Sequence, residues 1–449
     1  MSNLLVFLYV SAVLVVALAS SAKRDRSAGE YFFAGRKAVW PVVGSSLALS
    51  NFLRFQIILL PLLATDAFWI AVGVSMIVVM ISLRAKREED DDGLDLCGST
   101  ACWWWTVGLA MITLLLVQSF AVLFLADQVL SRVLSLDYVT AAMMIIVVAG
   151  ICVVLGGFSA VVHAQAFQAV VFLAGIIGLA ALGDLPAPAS IIQTSGAAGA
   201  GGLVGAILGL PVMSLWLWHF DPFSHQQVLA LDGKGSRTRG LIAGGVVVAA
   251  LGVIALMASH ASPPEVRPMS ATNILMVVCF AAFMASFAAS FSSLGEITAN
   301  AIFRKLRPGA TDGKIVLIGR LATVAVVVLS VLMIPVAGEL GLRTLDMFVL
   351  VQASLFPPLT AAYAARLLWR RLPRSGVVAA IVLGELLAIA RIVFGPEVGN
   401  PASTNPLVGW FVAMDSYVFA FCLFSLSFLV VSGARVAAEL KLKTAPRTT

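Results

Sequence analysis

Unbroken apolar runs of about 20 residues recur along almost the whole chain, and they restrict its fold more than any other feature. They lack the period-two alternation of outer-membrane barrel strands, and their length suits an α-helix crossing the hydrocarbon core. A helix also satisfies its own backbone groups where no water is present. Over 449 residues, 60% are apolar and 12% charged, with a mean hydropathy of +1.01. Soluble domains carry roughly twice that charge, so a soluble enzyme is excluded. No phosphate loop, metal-ligand cluster or nucleophile-and-base set is visible, so the chain reads as a non-enzyme without a cofactor. Five cysteines (Cys97, Cys102, Cys152, Cys279, Cys422) are odd in number and show no paired spacing, which gives neither a disulfide framework nor a zinc site.

Polar breaks divide the chain into thirteen candidate spans: 3–21, 39–63, 66–83, 103–127, 138–156, 160–182, 201–220, 239–260, 271–301, 314–336, 344–366, 376–394 and 409–432. The first ends like a signal-peptide cleavage site, but no Lys or Arg precedes it and it is long enough to span, so it is kept as span 1. The net charge of +6 reports topology rather than a nucleic-acid partner. Of 29 Lys and Arg, twenty-three fall on one side, three on the other (Arg132, Arg267, Arg343) and three within spans (Arg54, Arg320, Arg391). By the positive-inside rule the N-terminus lies outside and the C-terminus in the cytoplasm, as expected for a multi-pass protein of a bacterial inner (plasma) membrane. The acidic run Glu88 to Asp92 reads as a solvated loop.

Several segments, in order, resemble the sodium:solute symporter family over about residues 31 to 371. They are Tyr31-Phe-Phe-Ala-Gly-Arg36; Gly156-Gly-Phe-Ser-Ala-Val-Val162 followed by Gln168; Trp216-Leu-Trp218 with Gln226-Gln-Val-Leu-Ala230; Ala281-Ala-Phe-Met284 through Arg304-Lys-Leu-Arg-Pro308; Gly319-Arg-Leu-Ala-Thr323; and Gln352 to Pro358. The resemblance implies an all-α integral membrane protein with a leucine-transporter-like five-plus-five inverted repeat. Helices 2–6 and 7–11 form the repeats, and helices 1, 12 and 13 lie outside them. The corresponding segments are an N-terminal helix and linker (1–38), a first repeat (39–182), a second repeat (183–371), and C-terminal helices with a basic tail (372–449). In such folds the first helix of each repeat is interrupted near the midplane, where helix ends face the ligand. Asn51, Arg54, Gln56 and Pro61 in span 2, and Gly205, Gly209 and Pro211 in span 7, mark the expected interruptions. Ordinary proline kinks are the alternative.

The family's sodium positions are altered in this chain. A hard cation needs several oxygens to replace its water. The principal site, as the resemblance implies it, would use backbone carbonyls near Arg54 and Ile57, the Ala282 carbonyl, and hydroxyls at the positions of Ala285 and Ser286. One of these hydroxyls is missing. A second site found in some members maps onto Ala288, Ala289 and Gln165, which offer neither hydroxyl nor carboxylate. A guanidinium has five donors and no acceptor, so an inward-facing Arg54 would repel sodium and occupy its place. The expected position of Arg54 is between spans 2 and 9, against the Ala282 carbonyl and the Ser286 hydroxyl. Its candidate charge partners are Glu296, Asp221 and a substrate carboxylate.

The chain is therefore expected to be a secondary transporter of a small polar solute, an anionic one included, with sodium coupling weakened or lost and sodium itself a doubtful ligand. Gln56, Trp216, His219, Gln352 and Ser354 are the expected solute-lining residues. The alternative is a non-transporting relative that acts as a sensor or as the membrane partner of another protein.

Overall fold

A computed structural model describes residues 2–21, 27–59, 73–74, 77, 101–132, 137–182, 202–233, 235–240, 242–247, 269–339, 343–369, 372–394 and 406–444. Most of spans 3 and 8, the connection 183–200 and the run Glu88 to Asp92 lie outside the described residues. The principal helices are α1 (Ser2–Ser21), α2 (Ala28–Phe33), α3 (Trp40–Leu59), α4 (Ala101–Arg132), α5 (Tyr138–Ala181), α6 (Gly202–Leu215), α7 (Pro222–Leu229), α8 (Met269–Glu296), α9 (Asp312–Leu332), α10 (Arg343–Leu368), α11 (Arg374–Phe394) and α12 (Ser416–Thr444). Among the described residues, nine helical segments are long and apolar enough to cross a membrane. The helix α3 is not one of them, because Ser46, Ser50, Asn51 and Arg54 interrupt its apolar character.

The chain divides into two compact units. The first comprises Met1–Ala64, Met111–Gly196 and Asp221–Leu345, and the second Thr65–Ala110, Ala197–Phe220 and Asp346–Thr449. In the first unit α5 is the central packing element, with α8, α1, α3 and α9 laid against it. Spans 5 and 6 form this one 44-residue stretch, broken at Gly157, where φ is 61° and ψ is −164°. Only glycine adopts that conformation without strain. The carbonyls of Val153 and Val154, freed by the break, accept hydrogen bonds from the Tyr31 hydroxyl at 3.0 and 3.2 Å. On α9, Leu317, Leu321, Val324, Val328 and Leu332 are each more than 40% exposed along one face, an apolar stripe suited to lipid.

In the second unit α12 packs against α6 and α11. A Cβ on Gly209 would lie 2.0 Å from the Tyr417 carbonyl oxygen, so only glycine permits this approach. Small residues bring membrane helices together in this way.

The two expected interruptions are placed differently. The helix α3 runs through Asn51 and Arg54 without a break, and Pro61 lies outside the described residues. Bonds from Asn51 and Arg54 side chains to other elements leave the α3 backbone ladder intact. In span 7, α6 continues through Pro211, and the irregularity comes later. There Trp216–Phe220 form a π-helical turn, and α7 restarts at Asp221 and Pro222. Proline is tolerated within a membrane helix when neighbours satisfy the freed carbonyl. Proline at the first position of α7 together with a capping aspartate makes a better restart point.

Candidate functional site

Ser46, Ser50 and Arg54 recur at four-residue intervals and so share one face of α3. All three are buried, as is Asn51 beside them. Arg54 Nη1 donates to Asp221 Oδ2 at 3.2 Å, and Nη2 donates to Ser290 Oγ on α8 at 3.0 Å. Asp221 is the N-cap of α7, where the same Oδ2 accepts from the backbone amides of Phe223 and Ser224 at 3.1 and 3.3 Å. Asn51 Nδ2 adds a bond to Ser224 Oγ at 3.2 Å. Neither charge could lie here alone, because an unpaired buried ion is costly. As a pair with hydrogen bonds on both sides, they join α3, the start of α7, and α8.

A second, uncharged chain of bonds runs beside it. Gln227 Nε2 donates to Ser46 Oγ at 2.7 Å, Ser46 donates to Gln165 Oε1, and Gln165 Nε2 donates to the Ala285 carbonyl at 2.8 Å. The Ser286 hydroxyl donates to the Ser50 carbonyl at 3.4 Å. Together these bonds connect α7, α3, α5 and α8, and they engage Gln165, Ala285 and Ser286, three of the positions the sequence reading offers for sodium.

The sequence places the Arg54 guanidinium against the Ala282 carbonyl and the Ser286 hydroxyl, whereas it lies at Ser290, one helical turn along α8. The reason is Asp221: its carboxylate is fixed by the amides of α7, and the guanidinium goes to that charge. Of the candidate partners, Glu296 instead accepts from Asn300 Nδ2 at 3.4 Å. Ile57, Ala282, Ala285, Ala288 and Ala289 are all buried in the first unit. The side chain of Gln56 lies outside the described residues.

The other expected solute-lining residues belong to the second unit. Trp216 stacks on Phe356 at 5.6 Å between ring centroids and meets the edge of Tyr363 at 6.3 Å. His219 lies 4.5 Å from Phe220, which stacks on Tyr363 at 5.1 Å. Gln352 Nε2 donates to the Phe348 carbonyl at 3.2 Å, and Ser354 Oγ to the Leu350 carbonyl at 2.6 Å, so these bonds stay within α10. Phe356, Tyr363, Ser290 and Gln227 are participants the sequence reading misses. Ser290 is the detectable one, since it follows Ser286 by four residues and so shares its face.

No family profile matches the chain. It is 22% identical to sodium/glucose cotransporter 4 of Danio rerio, over 98% of this chain and 78% of that protein. It is also 21% identical to sodium/glucose cotransporter 1 of Oryctolagus cuniculus, over 95% and 77%. Sodium/myo-inositol cotransporter 2 of Mus musculus is 24% identical, over 89% and 71%. Among solved structures, a Na+-coupled sialic acid symporter in a substrate-bound outward-open state superimposes with a TM-score of 0.75, at 15% identity and covering 98% of this chain and 97% of that one. The similarity to these sodium-coupled cotransporters runs along almost the whole chain. The chain has the leucine-transporter-like fold of that symporter, and the cotransporter relatives together with the apolar helices support a multi-pass membrane protein that acts as a secondary transporter.

Proposed function

We propose that this protein moves a small polar solute by alternating access and that its coupling to sodium is weakened or lost. The observation that carries the coupling reading is the Arg54 side chain, 1% exposed and bonded to Asp221 and Ser290. A cation bound between helices holds them by offering positive charge to their oxygens. The guanidinium makes that offer permanently, supplies no oxygen of its own, and repels a second cation beside it. Gln165 supports the same reading. Its amide nitrogen already occupies the Ala285 carbonyl, and an amide donor there leaves less for an ion to bind.

Because Asp221 neutralises Arg54, the guanidinium does not call for a solute carboxylate. Uncharged hydroxyl-rich molecules are the first candidates, given relatives described as glucose and myo-inositol cotransporters. The ring faces of Trp216, Phe356 and Tyr363 are surfaces of the kind such solutes use. The test is uptake of labelled glucose and myo-inositol by the protein reconstituted in vesicles, with sodium or potassium outside. Equal uptake in the two salts is expected. Uptake that rises steeply with sodium would refute lost coupling, and no uptake of either sugar would favour the non-transporting reading.

A further inference from the structure

We propose that Gln118, at the middle of α4, is a solute-binding residue whose amide both donates to and accepts from hydroxyl groups of the transported molecule. This rests on the transporter reading above and adds a residue and a ligand chemistry to it. The apolar crossing segment of α4 is Ala110–Asp127, and Gln118 lies at its centre. At 1.5 Å per residue that is about 13 Å from either end, the depth at which transporters of this kind hold their ligands.

Its surroundings on the helix are apolar. Met111, Leu114, Leu115, Val122, Leu125 and Val129 form a buried stripe that includes Gln118, itself 2% exposed. Neither Oε1 nor Nε2 of Gln118 has a hydrogen-bond partner among the described residues. Other buried amides of the first unit bond through at least one amide atom, although Gln227 Oε1 and Asn51 Oδ1 also lack a partner among the described residues. Gln165 and Gln226 each bond through both amide atoms, while Gln227 and Asn51 each donate a bond. The neighbouring Ser119 takes the ordinary local solution, donating to the Leu115 carbonyl at 2.8 Å. An amide left unbonded in an apolar setting destabilises the fold, and a leucine would fill nearly the same volume without that penalty. Folding alone therefore gives no reason for glutamine here.

The amide also narrows the ligand class. It presents two N–H donors and one carbonyl acceptor. A carboxylate would use only the donors and a cation only the acceptor, in each case leaving half of the amide unbonded. A pair of hydroxyl groups, each both donor and acceptor, satisfies both ends. The chemistry points to an uncharged polyhydroxylated solute rather than an ion.

The test uses the purified full chain and two isosteric apolar variants, Gln118→Leu and Gln118→Met, so that a packing defect in one does not decide the outcome. Two quantities are measured: the thermal unfolding midpoint without solute, and the affinity for myo-inositol and for glucose. Without solute, both variants should unfold at or above the wild-type midpoint. Binding of whichever sugar the wild type takes should weaken by about tenfold or more, as loss of hydrogen bonds to a ligand does. A lowered midpoint in both variants would mean that the amide has a structural partner and would overturn the proposal. So would unchanged affinity beside a binding wild type, with the transporter reading left standing. A wild type that binds neither sugar would overturn the proposed solute class and this proposal together.

Discussion

Arg54 and Asp221 face each other at 3.2 Å in a position where neither side chain is more than 1% exposed. Their separation is 167 residues in sequence, so the pair ties α3 to the start of α7 over a long loop of chain. Removing one partner strands the other charge. Arg54→Leu, or Asp221→Asn, which keeps an N-cap side chain, should each destabilise the purified protein by about 3–5 kcal/mol. The double variant Arg54→Leu with Asp221→Asn should lose less than the sum of the two. Denaturant unfolding of the four proteins in detergent measures the coupling, and strictly additive losses would contradict an ion pair.

The Gln165 bonds lead to a prediction of the opposite kind, a gain. Gln165→Asp would replace the amide donor with a carboxylate oxygen next to the Ala285 carbonyl and the Ser46 hydroxyl. That assembles the oxygen ligands a hard cation needs. The variant should be stabilised by roughly 1–3 kcal/mol at saturating sodium, with the wild type unaffected by exchange of sodium for potassium. Midpoints recorded in the two salts decide it. A variant as indifferent to sodium as the wild type would show that Arg54 alone is enough to exclude the ion.

Much of this arrangement is legible in the sequence, and the rest fails for identifiable reasons. Paired glycines within an apolar run mark the break at Gly157, because only a backbone need explains them there. An arginine deep in a span announces a buried partner, and Asp221 is among the few carboxylates within reach. Which turn of α8 receives Arg54 is not legible, since it depends on the register between two helices. The π-helical turn at Trp216–Phe220 is likewise hidden, because no local signal separates it from the ordinary helix before it. Gln118 escapes notice since a lone glutamine in an apolar run belongs to no motif. Its meaning comes from the absence of bonds to it among the described residues.

Gly157→Ala should be severely destabilising. An L-residue at φ 61° and ψ −164° is strained by about 1–3 kcal/mol, and the new Cβ would lie 2.8 Å from the Tyr31 carbonyl oxygen, which cannot move without shifting α2. Gly233, with φ 73° and nothing within 4 Å of its Cβ position, provides the control. Alanine there should incur only the backbone strain. Equal losses at the two positions, read by thermal unfolding, would mean that the close approach of Tyr31 contributes nothing.

Tyr31 offers the last test, because its hydroxyl reaches the α5 break while Arg320 lies against both its ring and its hydroxyl. The hydroxyl donates to Val153 and Val154 at the α5 break, and the Arg320 guanidinium lies 5.1 Å from the ring centroid. Burial pushes the phenol above its ordinary value of 10.0, although the Arg320 charge acts in the other direction. The phenol therefore keeps its proton and remains a donor at neutral pH. A raised pKa in the folded state means that this contribution is complete below about pH 10 and is lost only as pH rises further. Tyr31→Phe removes the donor but keeps the ring, and should destabilise by about 1–2 kcal/mol by leaving two carbonyls without that bond. Arg320→Leu removes the cation but keeps the hydroxyl, with a loss of about 0.5–1 kcal/mol. Because Arg320 acts on the hydroxyl as well as on the ring, the double variant should lose less than the sum of the two in unfolding measurements at neutral pH. Between pH 6 and 9 the gap between wild type and Tyr31→Phe should stay constant. A gap that closes within that range would show the hydroxyl already ionising there, and the bond to the α5 break would not be the one described.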